Sequence, residues 1–258
     1  MPRLISFRPA AACVLALILS LSLAASAFAK VSAELRVVGK GGKVLTEETL
    51  KTGSIAIKTS KKAKCFGAGY AGSGKSVTVK GATAMGLLAQ AAKSTSTLRP
   101  LLVTDAFDFG LGICGIGGNV VSGKASWYLK VNHKGATVGG DAVKLKPGDE
   151  VLWALSPSFP YPNELDLEVP ERVESGVPFQ VRVVSYDEKG KRKPVAGAKI
   201  SGAAAPVVTG ADGSATVTVV ATSPQYAILG ATHGKEIPAP AAPVFACVGG
   251  SCSVPTTQ

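Results

Sequence analysis

A short proline-rich stretch divides this chain in two. The sequence SPSFPYPN, residues 156–163, crowds prolines and serines together, which is typical of a connection between domains. Before it, strand patterns and one helix pattern occur. After it, only short strand patterns occur, separated by Gly and Pro turns. The sequence therefore predicts an α+β domain over residues 30–157, a linker over residues 158–163 and an all-β domain over residues 164–258.

The first 29 residues have the layout of a secretory signal peptide. Arg3 and Arg8 precede an apolar run from Ala10 to about Ala25, and Ala27-Phe28-Ala29 offers a small-x-small cleavage site. We expect cleavage after Ala29, no transmembrane span afterwards, and a secreted or extracellular protein that could associate with the cell wall. An uncleaved membrane anchor is the alternative, although the apolar run is short for a span.

Four cysteines remain after this cleavage, and in an oxidising compartment an even number indicates disulfides. Three pairings of four cysteines are arithmetically open. We expect Cys65 to pair with Cys114 and Cys247 with Cys252, because each pair then lies within one predicted domain. A zinc site is the competing interpretation, but the C-x4-C spacing at the end lacks a nearby third and fourth ligand. We therefore predict no metal site.

The chain is strongly basic, with a formal net charge of +11 that falls to +9 when Arg3 and Arg8 are removed (11 − 2). This balance favours anionic partners, such as an anionic cell-wall polymer, and says nothing about the fold. One basic run covers residues 189–193, in the second predicted domain. A run of lysines in a loop is more often a solvated face than a binding site. The candidate basic patch consists of Lys58, Lys61, Lys62 and Lys64.

The sequence GYAGSGKS, residues 69–76, satisfies the phosphate-binding pattern G-x-x-x-x-G-K-[ST] at every position. A working P-loop follows a buried strand and opens a helix at its Lys-Ser pair. Here a basic segment precedes Gly69, and the alternating sequence SVTVK follows Lys75 and predicts a strand from Ser76. We therefore expect an ordinary turn with no nucleotide site. The helix signal begins later, with Thr83 as the expected cap and apolar residues at helical spacing through Lys93.

No arrangement of residues in the sequence predicts catalysis. The two histidines, His133 and His233, lie in different predicted domains, and the aspartates are scattered without a positioned pair. His133 follows Asn132 at a strand end, where a polar turn residue is ordinary. We therefore predict a protein that is not an enzyme, with no cofactor and no specific nucleic-acid partner.

Residues 33–156 resemble the transcobalamin-like C-terminal domain family, a β-grasp module otherwise described in bacteria as a domain of unknown function. The resemblance lies in VTVKGATAMGLLAQAAK for a strand and crossing helix, FGLGICGIGG for a glycine-rich loop, and SWYLKVNHKGATVGGDAVKLKPGDEVLWAL for a terminal hairpin. His133 stands where the family pattern usually has glycine. The remainder resembles bacterial immunoglobulin-like domains through PVAGAKI, TGADGSATVTV and YAILGATHGKEIP. The resemblance implies a β-grasp domain followed by an immunoglobulin-like β-sandwich.

The function that these observations predict is binding without catalysis. Alternation places Trp127 and Tyr128 on opposite faces of one strand, so that one is expected in the core and the other beside a ligand groove. We predict a secreted binding or cell-surface interaction protein that contacts a surface partner or small ligand through Trp127, Tyr128, Asn132 and His133. The alternative, which the resemblance implies, is a cobalamin-like ligand; in animal carriers most of that site belongs to a helical domain that this chain lacks.

Overall fold

The computed structural model describes residues 30–65, 69–249 and 252. The signal peptide predicted over residues 1–29 lies outside this range. The described chain is mostly β-strand, with one 11-residue α-helix, α1 (Ala84–Ser94). In the residues that the structure covers, no helix is long and apolar enough to cross a membrane.

Ten strands and two 3₁₀ turns, Lys40–Gly42 and Ser96–Leu98, accompany α1 before the linker. The strands are β1 (Val31–Val38), β2 (Val44–Thr52), β3 (Ile55–Lys58), β4 (Ser76–Val79), β5 (Leu101–Phe107), β6 (Gly110–Ile116), β7 (Asn119–Val120), β8 (Ser126–Val131), β9 (Lys134–Gly135) and β10 (Glu150–Ser156).

Three sheets form in this N-terminal region, residues 30–157. The largest has the order β2-β1-β10-β8-β9, with β1 parallel to β10 and its other pairs antiparallel. Strands β3 and β4 form a hairpin, and β5, β6 and β7 form a third sheet. The sequence patterns do not predict strand β2. Its Glu and Lys residues are disfavoured in strands, and its pairing with β1 along the whole length decides its conformation.

Helix α1 forms where the sequence predicts it and covers one face of the large sheet. Thr83 is the N-cap, and its hydroxyl accepts a hydrogen bond from the Gly86 amide at 3.0 Å, which satisfies one free amide of the first turn. Met85, Leu87 and Leu88 are fully buried. They pack in one core with residues of β1, β8 and β10.

The opposite face of the large sheet is buried too, against residues beyond the linker. Val38, Leu152 and Ala154 cluster there with Ile237. The alternation over residues 33–38 predicts a strand of a half-buried sheet. In the structure Leu35, Val37 and Val38 are all buried, and even Arg36 is only 7% exposed. Burial on both faces also accounts for the nearly continuous apolar run of β10.

The phosphate-loop pattern lies on a hairpin rather than at the start of a helix, as predicted. Strand β4 begins at Ser76 and pairs antiparallel with β3, with Ser76 opposite Lys58. Its amides therefore point sideways toward a neighbouring strand and do not converge on a phosphate. The segment before Ser76 packs against the loop that follows β3, because the Gly72 amide donates to the Ser60 carbonyl at 2.9 Å.

The resemblance implies a glycine-rich loop over residues 109–118. This expectation is wrong, because most of this stretch is strand β6. The glycines face bulky neighbours on the partner strand. A Cβ atom on Gly112 would lie 2.6 Å from the Phe107 ring, and one on Gly115 would lie 3.1 Å from Leu102. Glycine here makes room for large side chains that cross the sheet.

Beyond the linker, nine strands form two sheets. They are β11 (Glu164–Glu168), β12 (Arg172–Glu174), β13 (Phe179–Tyr186), β14 (Arg192–Pro194), β15 (Lys199–Ser201), β16 (Val207–Val208), β17 (Ser214–Val217), β18 (Gln225–Thr232) and β19 (Ala242–Cys247). One sheet has the order β11-β13-β14, with β17 also paired to β13, and the other has the order β12-β19-β18-β15-β16. Residues of both sheets share one apolar core.

Both predicted disulfides are present. Cys65 bonds Cys114 across 49 residues and Cys247 bonds Cys252 across 5. The first joins the loop after β3 to strand β6 and packs with Ala63 in a small buried cluster. It therefore fixes a long surface segment that has few strand pairs of its own.

Removing the first disulfide is expected to destabilise the protein more than removing the second. The loop-entropy relation gives a loss of about 4 kcal/mol for Cys65→Ser with Cys114→Ser, and about 2 kcal/mol for Cys247→Ser with Cys252→Ser, because the first loop is longer. Urea unfolding of the two double variants measures this difference. Equal losses would show that chain entropy does not control the effect.

Candidate functional site

An aromatic cleft lies between the β5–β6 hairpin, the ends of β8 and β10, and the linker. Its volume is about 220 Å³. Apolar residues and glycines of residues 111–113 and 136–140 complete the walls. The aromatic rings that line it are Phe107, Phe109, Trp127, Tyr128, Trp153 and Tyr161.

Strand pairing places the two tryptophans of the chain at this cleft. Trp153 on β10 pairs with Leu129 on β8, and Trp127 on β8 pairs with Leu155. The turn after β9 lies directly against Trp153, since a Cβ atom on Gly140 would be 2.7 Å from its ring. Glycine at position 140 is therefore needed for the wall to close over the indole.

The β5–β6 hairpin supplies one rim. The rings of Phe107 and Phe109 stack with centroids 4.8 Å apart, and Tyr70 lies 5.2 Å from Phe107. Phe109 is 69% exposed. An exposed phenylalanine beside a concave apolar surface is a common feature of binding sites.

The linker supplies the opposite rim. Tyr161 stacks on Tyr128 with centroids 4.0 Å apart, and Phe159 contacts Tyr161 edge-on at 5.7 Å. The sequence interpretation treats this stretch only as a connection. The two aromatic residues among its prolines were the available signal that it forms part of a surface.

Several buried polar atoms around the cleft have no hydrogen-bond partner in the described part of the chain. They include the Nε1 atoms of Trp127 and Trp153, the Tyr128 hydroxyl and Asp141 Oδ1. Burying such a group unpaired costs about 1–3 kcal/mol.

The four predicted site residues do not come together. Trp127 and Tyr128 line the cleft, whereas Asn132 and His133 form the turn at the far end of β8. Both turn residues have positive φ, 49° and 65°, as expected in the two-residue turn of a hairpin. The Asn132 side chain donates to Asp149 and accepts from the Glu150 amide, each at 2.9 Å. Its contacts therefore hold the turn.

His133 instead belongs to a charge cluster between the large sheet and the C-terminal region, residues 164–252. Glu164 is the centre of this cluster: Arg36 donates to its Oε1 at 2.6 Å, and Lys130 Nζ lies 3.1 Å from its Oε2. His133 Nδ1 lies 3.2 Å from the same Oε2. The His133 ring also stacks on Tyr186, with centroids 3.9 Å apart.

Burial and the neighbouring charges shift the pKa values of these groups in opposite directions. Burial alone would raise the pKa of Glu164, but His133, Arg36 and Lys130 together lower it to about 2. Burial lowers the pKa of Lys130, which is 1% exposed, and Glu164 opposes that effect. The interaction with Glu164 raises the pKa of His133, assisted by Glu150. Burial raises the pKa of Glu150. The cluster therefore favours a protonated histidine beside an ionised glutamate.

The predicted basic patch lies elsewhere. Lys58, Lys61, Lys62 and Lys64 are all exposed, at the end of β3 and in the loop that follows. In a different place, Glu174 lies close to Cys247 and Cys252. Those two cysteines form a disulfide and offer no thiolate for a metal.

Known proteins show only weak similarity to this chain. No family model matches the chain, and no curated protein matches it. Among solved structures, the chain is similar to the crystal structure of haptocorrin in complex with Cbi, at 15% identity and a TM-score of 0.33. The match covers 51% of this chain and 26% of the haptocorrin chain. This weak structural similarity does not establish a common ligand.

The charge cluster predicts a pH dependence of stability. The folded-state pKa of His133 lies above the ordinary 6.5, so its contribution is complete below about pH 6.5 and is lost as the pH rises through the raised pKa. We expect His133→Asn, which tolerates the same positive φ, to remove this loss. Urea unfolding from about pH 5.5 to about pH 9 measures it.

His233→Asn is the matched control, because the ion pair of His233 is local, with Glu236 at 2.9 Å. The control is expected to keep the wild-type decline in unfolding free energy. An unchanged decline in His133→Asn would assign the effect to another group.

Proposed function

We propose that this is a secreted, non-enzymatic binding protein that holds a flat apolar ring in the aromatic cleft. The observation that carries the proposal is the cleft itself, which aromatic rings from the β5–β6 hairpin, strands β8 and β10, and the linker line together. Two disulfides agree with an extracellular protein. The ring belongs to a small ligand or to a surface partner.

The proposed architecture is a β-grasp domain joined to an immunoglobulin-like sandwich. The strand order β2-β1-β10-β8, the parallel central pair and the packed helix support the first assignment. Two sheets around one core support the second. In this arrangement the cleft lies in the first domain and opens beside the linker.

The size of the cleft limits what it can hold. Its 220 Å³ is smaller than the roughly 300–1,000 Å³ of pockets that enclose a drug-sized molecule. A single ring system or an aromatic side chain fits such a volume. A cobalamin-like ligand, the alternative from the sequence resemblance, is much larger, and only one edge of it could enter.

A dye test examines the cleft directly. Anilinonaphthalene sulfonate is expected to bind one-to-one with increased fluorescence and to quench the protein's two tryptophans, both of which line the cleft. Phe109→Ala is expected to weaken this binding about five- to tenfold, since an aromatic contact contributes about 1 kcal/mol. Phe109 is mostly exposed, so the variant is expected to fold normally.

Tyr226→Ala is the matched control, because Tyr226 is 67% exposed but lies on strand β18, far along the chain from the cleft. It should leave dye binding unchanged. Equal loss in both variants would show non-specific adsorption. Displacement of the dye by cyanocobalamin, with loss of that competition in Phe109→Ala, would favour the cobalamin-like alternative.

The non-enzymatic part of the proposal has its own test. Because strand β4 leaves no helix start beside Lys75, wild-type protein and Lys75→Ala are both expected to release phosphate from ATP only at the rate of buffer. Turnover by the wild type that Lys75→Ala abolishes would refute this expectation.

A further inference from the structure

The β3–β4 hairpin carries an exposed basic face that the aromatic cleft does not use. Along the outward side of the hairpin, Lys58 pairs with Ser76, and Ala56 pairs with Thr78. All four are exposed, whereas Ile55, Ile57 and Val79 point into the core. The face is therefore a flat, polar surface with lysine at one end.

The phosphate-loop pattern places a further exposed lysine, Lys75, at the end of this hairpin. Gly74 has φ of 80°, and the side chain of Lys61 lies directly against it, so that a Cβ atom there would be 2.9 Å from Lys61 Cε. Thr59 accepts from the Gly74 amide at 3.0 Å and its own amide donates to the Lys75 carbonyl at 2.9 Å. The turn thus holds Gly74, the residue before Lys75, against the Lys61 side chain.

A single aspartate anchors this turn. Asp105 accepts from the amide and the hydroxyl of Ser73 at 2.7 and 2.6 Å, and the hydroxyl bond lowers the pKa of Asp105. Its carboxylate is directed to Ser73. Among the described residues, no ion pair forms with Lys58, Lys61, Lys62, Lys64 or Lys75.

The positive charge continues toward the other end of the hairpin. Lys80 follows strand β4, and Lys144 donates from Nζ to the Lys80 carbonyl at 2.8 Å. The four residues of β4 separate Lys75 from Lys80, and the five residue steps between the two lysines correspond to about 17 Å of extended chain. The basic face therefore suits a repeating anion rather than a single ion.

The kind of residue indicates the kind of anion. Lysine binds phosphate as a point charge without the planar geometry that arginine imposes. The exposed strand residues between the lysines are Ala56, Ser76 and Thr78. Ser76 and Thr78 offer hydroxyl donors, and none of the three carries a ring on which a base could stack. We propose that this face binds a linear polymer of phosphate groups that lacks bases.

Long-chain inorganic polyphosphate is a suitable probe. The triple variant Lys58→Gln, Lys61→Gln and Lys75→Gln is expected to weaken its binding at least about tenfold at 0.1 M salt, and to reduce the slope of log affinity against log salt by about 2. The lysines are exposed, and an unchanged melting temperature would show that the variant folds.

Lys189→Gln, Lys191→Gln and Lys193→Gln together form the matched control. They remove the same charge from another exposed run, where Asp187 accepts from the Lys189 and Lys191 amides. This control is expected to bind polyphosphate nearly as the wild type does. Equal weakening in both triple variants would overturn the proposal, because net charge alone would then account for binding.

Two further probes separate the polymer classes. Heparin tests sulfate groups, and oligothymidylate tests a phosphate backbone with bases. Tighter binding of heparin or oligothymidylate than of polyphosphate, at equal charge, would overturn the proposal. Because the dye test concerns a different surface, either proposal can fail while the other stands.

Discussion

Glu164 is the residue on which the two halves of the structure meet. Its two oxygens contact Arg36, Lys130 and His133, all from the large sheet, while Glu164 itself begins the first strand after the linker. A buried ion pair of this kind adds little net stability over a well-packed apolar contact, but removing one partner costs about 3–5 kcal/mol. The cluster therefore selects one way of placing the C-terminal region on the sheet more than it strengthens the fold.

That placement determines the shape of the cleft. With Glu164 fixed, the preceding linker must run along the end of β8, where Tyr161 stacks on Tyr128. The β5–β6 hairpin forms the other rim, and its position depends on the Cys65–Cys114 bond. Cys65 itself lines the cleft and directly follows Lys64 of the basic patch. The cleft and the basic patch are thus adjacent along the chain.

Local signals in the sequence predicted the local features. The Thr83 cap, strand β4 and the turn at Asn132 all depend on neighbouring residues, and the sequence contains those neighbours. The burial of Arg36 and Lys130 depends on Glu164, more than 30 positions away in each case, so no pattern within their own strands shows it. The sequence predicted only part of the cleft. Trp127 and Tyr128 stand in a strand pattern, whereas Phe109 and Tyr161 join them only through strand pairing and packing.

Both faces of the large sheet are buried, and this affects how the chain can be divided into fragments. A fragment ending near residue 157 would present Val38, Leu152 and Ala154 to water, together with the unpaired charges of Arg36 and Lys130. Apolar strands with lost partners associate with one another. The proline-rich segment is thus a poor place to cut, because the second covering of the sheet includes Ile237, far beyond the linker.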